Sequence, residues 1–218
     1  MHHLPSPWQA TCWLAGSAAS HSWRVPAVEE LVSRPTLIVV SGPAGSGKTT
    51  LAHRLAAAVG CPALCRDELK EGMVAATPGF VAATSDPLTV RTYSLFFTTI
   101  RLFLENGVTH VAEAAFQHAA WARGLEPLRP LAELRIVRCH VDPAVAQARA
   151  EQRSQEQPAR AAHDDAGHFA IARSFEPLAL EVPTLDVDTS NAAATDIDAV
   201  VAFARVGSGP RRATREGS

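Results

Sequence analysis

Apolar and polar positions along this chain change period several times, and each change marks an element. Residues 37–41, Leu-Ile-Val-Val-Ser, form an unbroken apolar run, the pattern of a strand covered on both faces. From Lys48 to Val59 the apolar positions Leu51, Leu55 and Val59 recur at helical spacing, and Gly60 closes that helix. A short second strand over 62–66 leads into a helix around 68–76. Asp86-Pro87, an N-cap followed by proline at the first helical position, opens a long helix through Asn106 that Gly107 stops. A third strand follows over 108–112, a helix over 118–128 and a fourth strand over 134–141. Asp142-Pro143 repeats the cap-plus-proline opening and launches an Arg-rich helix. A fifth strand over 185–187 and a closing helix over 196–204 complete the pattern. Five strands alternating with helices predict an α/β fold with a doubly wound, parallel five-stranded sheet, helices on both faces and ligands at the carboxyl ends of the strands.

The alternation defines one domain over 35–205. Residues 1–34, with Pro5, Pro7, Gly16, Pro26 and three of the four tryptophans, read as an irregular extension or as a segment whose tryptophans dock on the domain. Residues 206–218, rich in Gly, Pro and Arg, read as a disordered tail. A net charge of −2 gives no general electrostatic reason to expect a nucleic-acid partner. The four cysteines are scattered in a chain that opens without a secretory pattern, so they read as reduced, mostly buried residues of a cytoplasmic protein. On the assigned strand Cys61 and Cys65 stand roughly 13 Å apart, too far to share a metal. No apolar run approaches the ~18 residues of a membrane span.

The break after the first strand carries the chemistry. Gly42-Pro43-Ala44-Gly45-Ser46-Gly47-Lys48-Thr49 is a complete G-x-x-x-x-G-K-[ST] phosphate loop, the Walker A pattern, set between a strand and a helix and followed by Thr50. The glycines let successive N–H groups turn toward phosphate oxygens, and the helix adds the positive end of its dipole. Lys48 is expected on the β- and γ-phosphates, and the Thr49 hydroxyl on Mg²⁺. A guanine-specifying Asn-Lys-x-Asp motif does not occur.

Two acids stand at predicted strand ends. Asp67 is placed beside the γ-phosphate, where a carboxylate accepts the proton of an attacking hydroxyl; it equally suits the N-cap of the next helix. Glu113 is placed to orient Mg²⁺ through water, or to pair with Arg66 or Lys70. Arg149 and Arg153, four residues apart on the Arg-rich helix, share a face from which they would neutralise a transferring phosphoryl group; a charged surface helix has the same spacing. The polar stretch 152–168 reads as a mobile lid, and His163 and His168 within it as solvated. Lys occurs only at 48 and 70. Lys70, Met73, Phe80, Arg91 and Tyr93 lie in the segment expected to build an acceptor pocket, although its apolar members suit an ordinary core.

The phosphate loop, Arg66-Asp67 with Lys70, Glu113-Ala-Ala-Phe116, Val141-Asp142-Pro143 with Arg149 and Arg153, and Phe175-Glu-Pro-Leu178 before Leu185-Asp-Val-Asp-Thr189 occur in one order over about 36–204. The chain thereby resembles the small P-loop kinases, AAA-type ATP-binding proteins that include polynucleotide kinase and chloramphenicol phosphotransferase. The resemblance implies a P-loop NTPase fold with a helical lid over about 149–176, ATP with Mg²⁺, and Asp67 as base toward a substrate hydroxyl. It further implies Arg153 as the lid arginine and adenine near residues 188–191, with Asp188 and Ser190 as contacts. Glu113 stands where the family usually has Asp, and Lys70 where polynucleotide kinase has Arg, a point charge in place of a bidentate fork. The expected activity is phosphorylation of a small-molecule hydroxyl at a site holding Asp67, Lys70, Arg91 and Tyr93. Phosphorylation of a nucleic-acid 5′-hydroxyl is the alternative, though the basic, aromatic interleaving of a strand channel is absent from the sequence. A nucleotide-regulated binding protein with little turnover is the alternative from another class.

Overall fold

A computed structural model describes residues 34–83, 86–156, 175–191 and 194–205, with the backbone alone for 150 and 153–156. The expected extension, the tail, His163, His168 and the central part of the lid lie outside the described residues. Five parallel strands run in the order β2-β3-β1-β4-β5, built from β1 (Thr36–Ser41), β2 (Ala63–Cys65), β3 (His110–Ala114), β4 (Glu133–His140) and β5 (Thr184–Asp188). β1 occupies the centre and every one of its residues is buried, which is why it reads as a continuous apolar run. Its alternate side chains feed two cores. Leu37 and Val39 pack with Phe96, Ile100, Trp121, Leu125 and Leu178, whereas Ile38 and Val40 pack with Leu51, Leu55, Val137 and Val200. The first core is covered by α3 (Pro87–Glu105), α4 (His118–Leu125) and a 3₁₀ turn over Glu126–Leu131. The second lies under α1 (Lys48–Val59) and α6 (Ile197–Arg205). Two further helices, α2 (Arg66–Ala75) and α5 (Pro143–Glu156), begin at strand ends on the ligand side of the sheet.

The local signals explain the boundaries. Gly60 closes α1 at φ 83°, a left-handed conformation that costs glycine little. The Asp86 carboxylate accepts from the Thr89 amide at 2.8 Å to start α3. In the same way Asp142 Oδ1 accepts from the Ala144 amide at 2.8 Å to start α5. Several expected bounds are corrected. β3 starts two residues late because the Val108 amide folds back onto the Phe103 carbonyl at 2.8 Å, so Val108 belongs to the helix-closing turn. That shift sets Glu113 inside the strand. Arg66 opens α2 instead of ending β2, and Cys65, with no side-chain cap bond, is the N-cap residue. Asp67 therefore sits in the first helical turn and is not the cap. Helix α5 continues through Glu156, so residues 152–156 of the expected lid are helical.

Candidate phosphate-binding site

The crossover from β1 runs to β2 at one edge of the sheet and the crossover from β3 passes back over β1 to β4, and the phosphate loop lies at that reversal, at the carboxyl end of β1. Two glycines are required by close approach. A Cβ at Gly42 would stand 2.6 Å from the Cys139 carbonyl oxygen, and one at Gly45 would stand 2.5 Å from the Ala146 carbonyl oxygen of α5. The loop is thus wedged between β4 and α5. Ser46 Oγ is buried and has no hydrogen-bond partner among the described residues. These features fit a phosphate cradle: backbone approach unobstructed by side chains, with a polar atom left to spare. Thr50 is exposed on α1, one residue beyond the loop.

Lys48 is 7% exposed, its ammonium donating to the Pro43 carbonyl at 3.0 Å and lying 3.8 Å from Glu113 Oε1. The Thr49 hydroxyl donates to Glu113 Oε2 at 3.1 Å. Glu113 is therefore paired with the phosphate-loop residues, and not with Arg66 or Lys70. Burial pushes its pKa up, opposed by Lys48 and Thr49 and reinforced by Asp67 and Glu68. Thr49 and Glu113 supply the hard oxygen donors Mg²⁺ takes, so the residues present fit that ion. Asp67 stands close enough to raise the Glu113 pKa through space. Its carboxylate accepts from the buried Arg66 guanidinium at 2.9 Å, and the guanidinium lies 6.0 Å from the Phe116 ring centroid.

On the other side of the loop, Arg149 donates to the Thr189 and Ser190 carbonyls at 2.9 and 2.8 Å. Its guanidinium clamps the segment after β5 and also lies 3.6 Å from where a Cβ on Gly47 would be, beside the phosphate loop. The side chain of Arg153 lies outside the described residues. Asp188 Oδ1 accepts from the Ser190 amide at 2.8 Å, and Ser190, through its side chain first and then this backbone bond, lowers the Asp188 pKa. Ser190 Oγ accepts from the Asp142 amide at 2.9 Å.

Thr189, which closes the Leu185-Asp-Val-Asp-Thr189 run, has no separate role in the sequence reading. Its hydroxyl lies 2.5 Å from the Ser46 carbonyl oxygen and 2.7 Å from that of His140, backing the phosphate loop from behind. Arg138 went unnoticed. It makes two bonds of 2.7 Å to Asp186, which His140 meets at 2.8 Å. Arg138 and His140 line a cavity of about 240 Å³ together with Ser41, Gly42, Pro43 and Phe175 among others. Register pairs Arg138 directly with Asp186, but a contact between strands so far apart in sequence leaves no local trace.

The expected acceptor segment does not converge as a set. Lys70 is 1% exposed, donating to Asp86 at 2.7 Å and to Thr89 at 2.9 Å. A buried ammonium needs such partners, so Lys70 is a strut between α2 and α3. Arg91 is exposed on α3. The Tyr93 hydroxyl donates to the Ala120 carbonyl at 2.9 Å, and its ring packs 5.3 Å from that of Phe116. Tyr93 and Phe116 thus share an aromatic cluster on the Arg66-Asp67 side.

The family model for the AAA domain matches residues 37–178, a span that holds the phosphate loop, Asp67, Glu113 and Arg149. A protein assigned as a kinase in Chloroflexus aurantiacus superposes with a TM-score of 0.72 and 26% identity over 80% of this chain and 98% of that one. A gluconokinase from Sinorhizobium meliloti 1021 does so with a TM-score of 0.50 and 20% identity, over 80% and 91% of the two chains. The APS kinase of Mycobacterium tuberculosis, solved with AMPPNP and APS, gives 0.51 and 14% over 78% and 97%. At those identities the last two share the fold alone. No curated protein matches the chain. With the phosphate loop, the parallel order of the strands and the family match all in agreement, the chain belongs to the AAA domain family and shares the P-loop fold of the small kinases it resembles.

Proposed function

We propose that this protein transfers the γ-phosphoryl group of ATP to a hydroxyl of a small molecule, with Mg²⁺ and with Asp67 as the proton acceptor. The observation that carries the reading is the Lys48–Thr49–Glu113 constellation at the loop, with Asp67 in the electrostatic neighbourhood of Glu113. Bound ATP and Mg²⁺ would supply the phosphoryl group and screen its charge. Lys48 would bind the β- and γ-phosphates, Thr49 would ligate the ion and Glu113 would hold it through water. Arg66 orients the Asp67 carboxylate by its 2.9 Å bond, and Asp67 removes the hydroxyl proton as the acceptor attacks. Arg149 holds the segment carrying Asp188 and Ser190, assigned to the adenine, and Arg153, one turn on, is assigned to the charge that develops in transfer. The buried Lys70 offers no charge to a nucleic-acid phosphate, which favours a small acceptor over a 5′-hydroxyl end.

The test is a screen of hydroxylated metabolites, antibiotics and 5′-hydroxyl oligonucleotides, followed by single-turnover assay of Asp67→Asn. We expect ADP release to depend on a small acceptor, and the Asn variant to retain ATP binding while transfer falls by roughly 10²–10⁴-fold. Full activity in Asp67→Asn would remove the base. Nucleotide binding with no acceptor-dependent turnover would favour a binding protein instead.

A further inference from the structure

Away from the phosphate cradle, three side chains of metal-ligand type meet where α1 passes the corner between β2 and α2. His53 Nε2 lies 2.6 Å from Glu68 Oε1 and 3.7 Å from Cys65 Sγ. All three ligand atoms fall within 4.8 Å of one another. Each comes from a different element, so tertiary folding and not a local charge run brings them together. Cys65 is 2% exposed, whereas His53 and Glu68 are 49% and 47% exposed, giving a closed floor and an open mouth.

We propose that His53, Cys65 and Glu68 form a binding site for a borderline-soft divalent ion, Zn²⁺ foremost, with water as fourth ligand. Thiolate, imidazole and carboxylate together are a zinc donor set, while Mg²⁺ prefers the all-oxygen pair of Thr49 and Glu113. In a tetrahedral zinc site the nitrogen–sulfur edge is about 3.6 Å and the nitrogen–oxygen edge about 3.4 Å. The His53–Cys65 separation matches the first already. The His53–Glu68 pair is a hydrogen bond, and Glu68, on an exposed side chain, opens as the ion takes the place of the proton on Nε2, which passes through solvent to Nδ1 so that the bound imidazole is the neutral Nδ1–H tautomer. Zn²⁺ binding releases the Cys65 thiol proton to solvent and forms the zinc–sulfur bond, with no change of oxidation state. The bound ion would pin α1, which leads out of the phosphate loop, to the corner from which Arg66 and Asp67 project.

The test uses the full chain, reduced and stripped of metal, titrated with Co²⁺ as a spectroscopic stand-in and then with Zn²⁺. We expect one equivalent of Co²⁺ to produce a thiolate-to-cobalt charge-transfer band with tetrahedral visible bands, both abolished by Zn²⁺. The band persists in Cys61→Ser and disappears in Cys65→Ser. His53→Ala and Glu68→Gln alter exposed side chains, retain the fold, and weaken Zn²⁺ binding by more than about tenfold. Zn²⁺ also raises the melting temperature of the wild type and leaves that of His53→Ala unchanged. No charge-transfer band, a band that survives Cys65→Ser, or unaltered affinity in both exposed variants would overturn the site.

Discussion

Glu113 carries more of the site than any other single residue, because it is buried, acidic and shared between the ammonium of Lys48 and the hydroxyl of Thr49. Glu113→Gln keeps the acceptor for Thr49 and removes the charge, so ATP binding without metal should hold while Mg²⁺-dependent transfer collapses; isothermal titration with and without Mg²⁺ separates the two. Lys48→Ala should lower nucleotide affinity and abolish transfer, and a binding curve like that of the wild type would contradict the assignment. The places of Lys48 and Thr49 at the end of β1 were legible because the loop motif fixes them by spacing. Glu113 was legible as an acid at a strand end, but its partners were not, since they depend on where β3 begins. Lys70 shows the limit of residue type as a guide. Its rarity drew it toward the acceptor, yet Asp86, sixteen positions away, seals it in the interior.

The strut between α2 and α3 is the element-scale counterpart. Asp86 serves both as the N-cap of α3 and as the counterion of Lys70, so Asp86→Ala strips a cap and strands a buried charge. The expected loss is about 3–5 kcal/mol, read by chemical denaturation. Lys70→Met keeps the cap but leaves the buried Asp86 carboxylate without its counterion and should cost a similar amount, whereas Lys70→Met combined with Asp86→Asn, which keeps a cap and removes both charges, should cost far less. On the central strand, Ile38→Ala should lose roughly 2–5 kcal/mol by opening a cavity. Helix starts and stops were legible wherever a side chain announces them: Asp86-Pro87, Gly60 and Asp142-Pro143. They were missed where the backbone alone decides, as in the turn that absorbs Val108 and in the entry of Arg66 into α2. The acceptor side stayed illegible because Tyr93, Phe116 and Arg66 belong to three elements whose meeting no local period records.

Across the whole molecule, His110, Asp86 and Asp186 respond to acid in one direction, and Glu113, whose pKa burial raises, opposes them by favouring the folded state as pH falls. Burial lowers the pKa of His110, which sits under the Phe103 ring with Nδ1 against the Val108 carbonyl oxygen. The folded protein therefore keeps this imidazole neutral while the unfolded chain takes up a proton below about pH 6.5, so stability falls as pH drops through that value. Asp86, despite its burial, is held to about 2 by Lys70 and Thr89, and Asp186 to about 2 by Arg138 and then His140. Each adds stability that is present above the ordinary carboxylate range and lost as pH falls toward 2. Denaturation curves between pH 7.5 and 5 should show the first decline, and His110→Leu should flatten it. The central place of β1 was legible from its apolar run, but the strand order and the pairs across it were not. One such pair bears on how the protein is made. The Ser46 carbonyl and the Thr189 hydroxyl that backs it are separated by 143 positions, so a ribosome synthesises the nucleotide-binding motif long before it synthesises the brace. Competence to grip phosphate is therefore acquired only once the segment after β5 has been made, and ATP affinity becomes a test of whether β5 has docked.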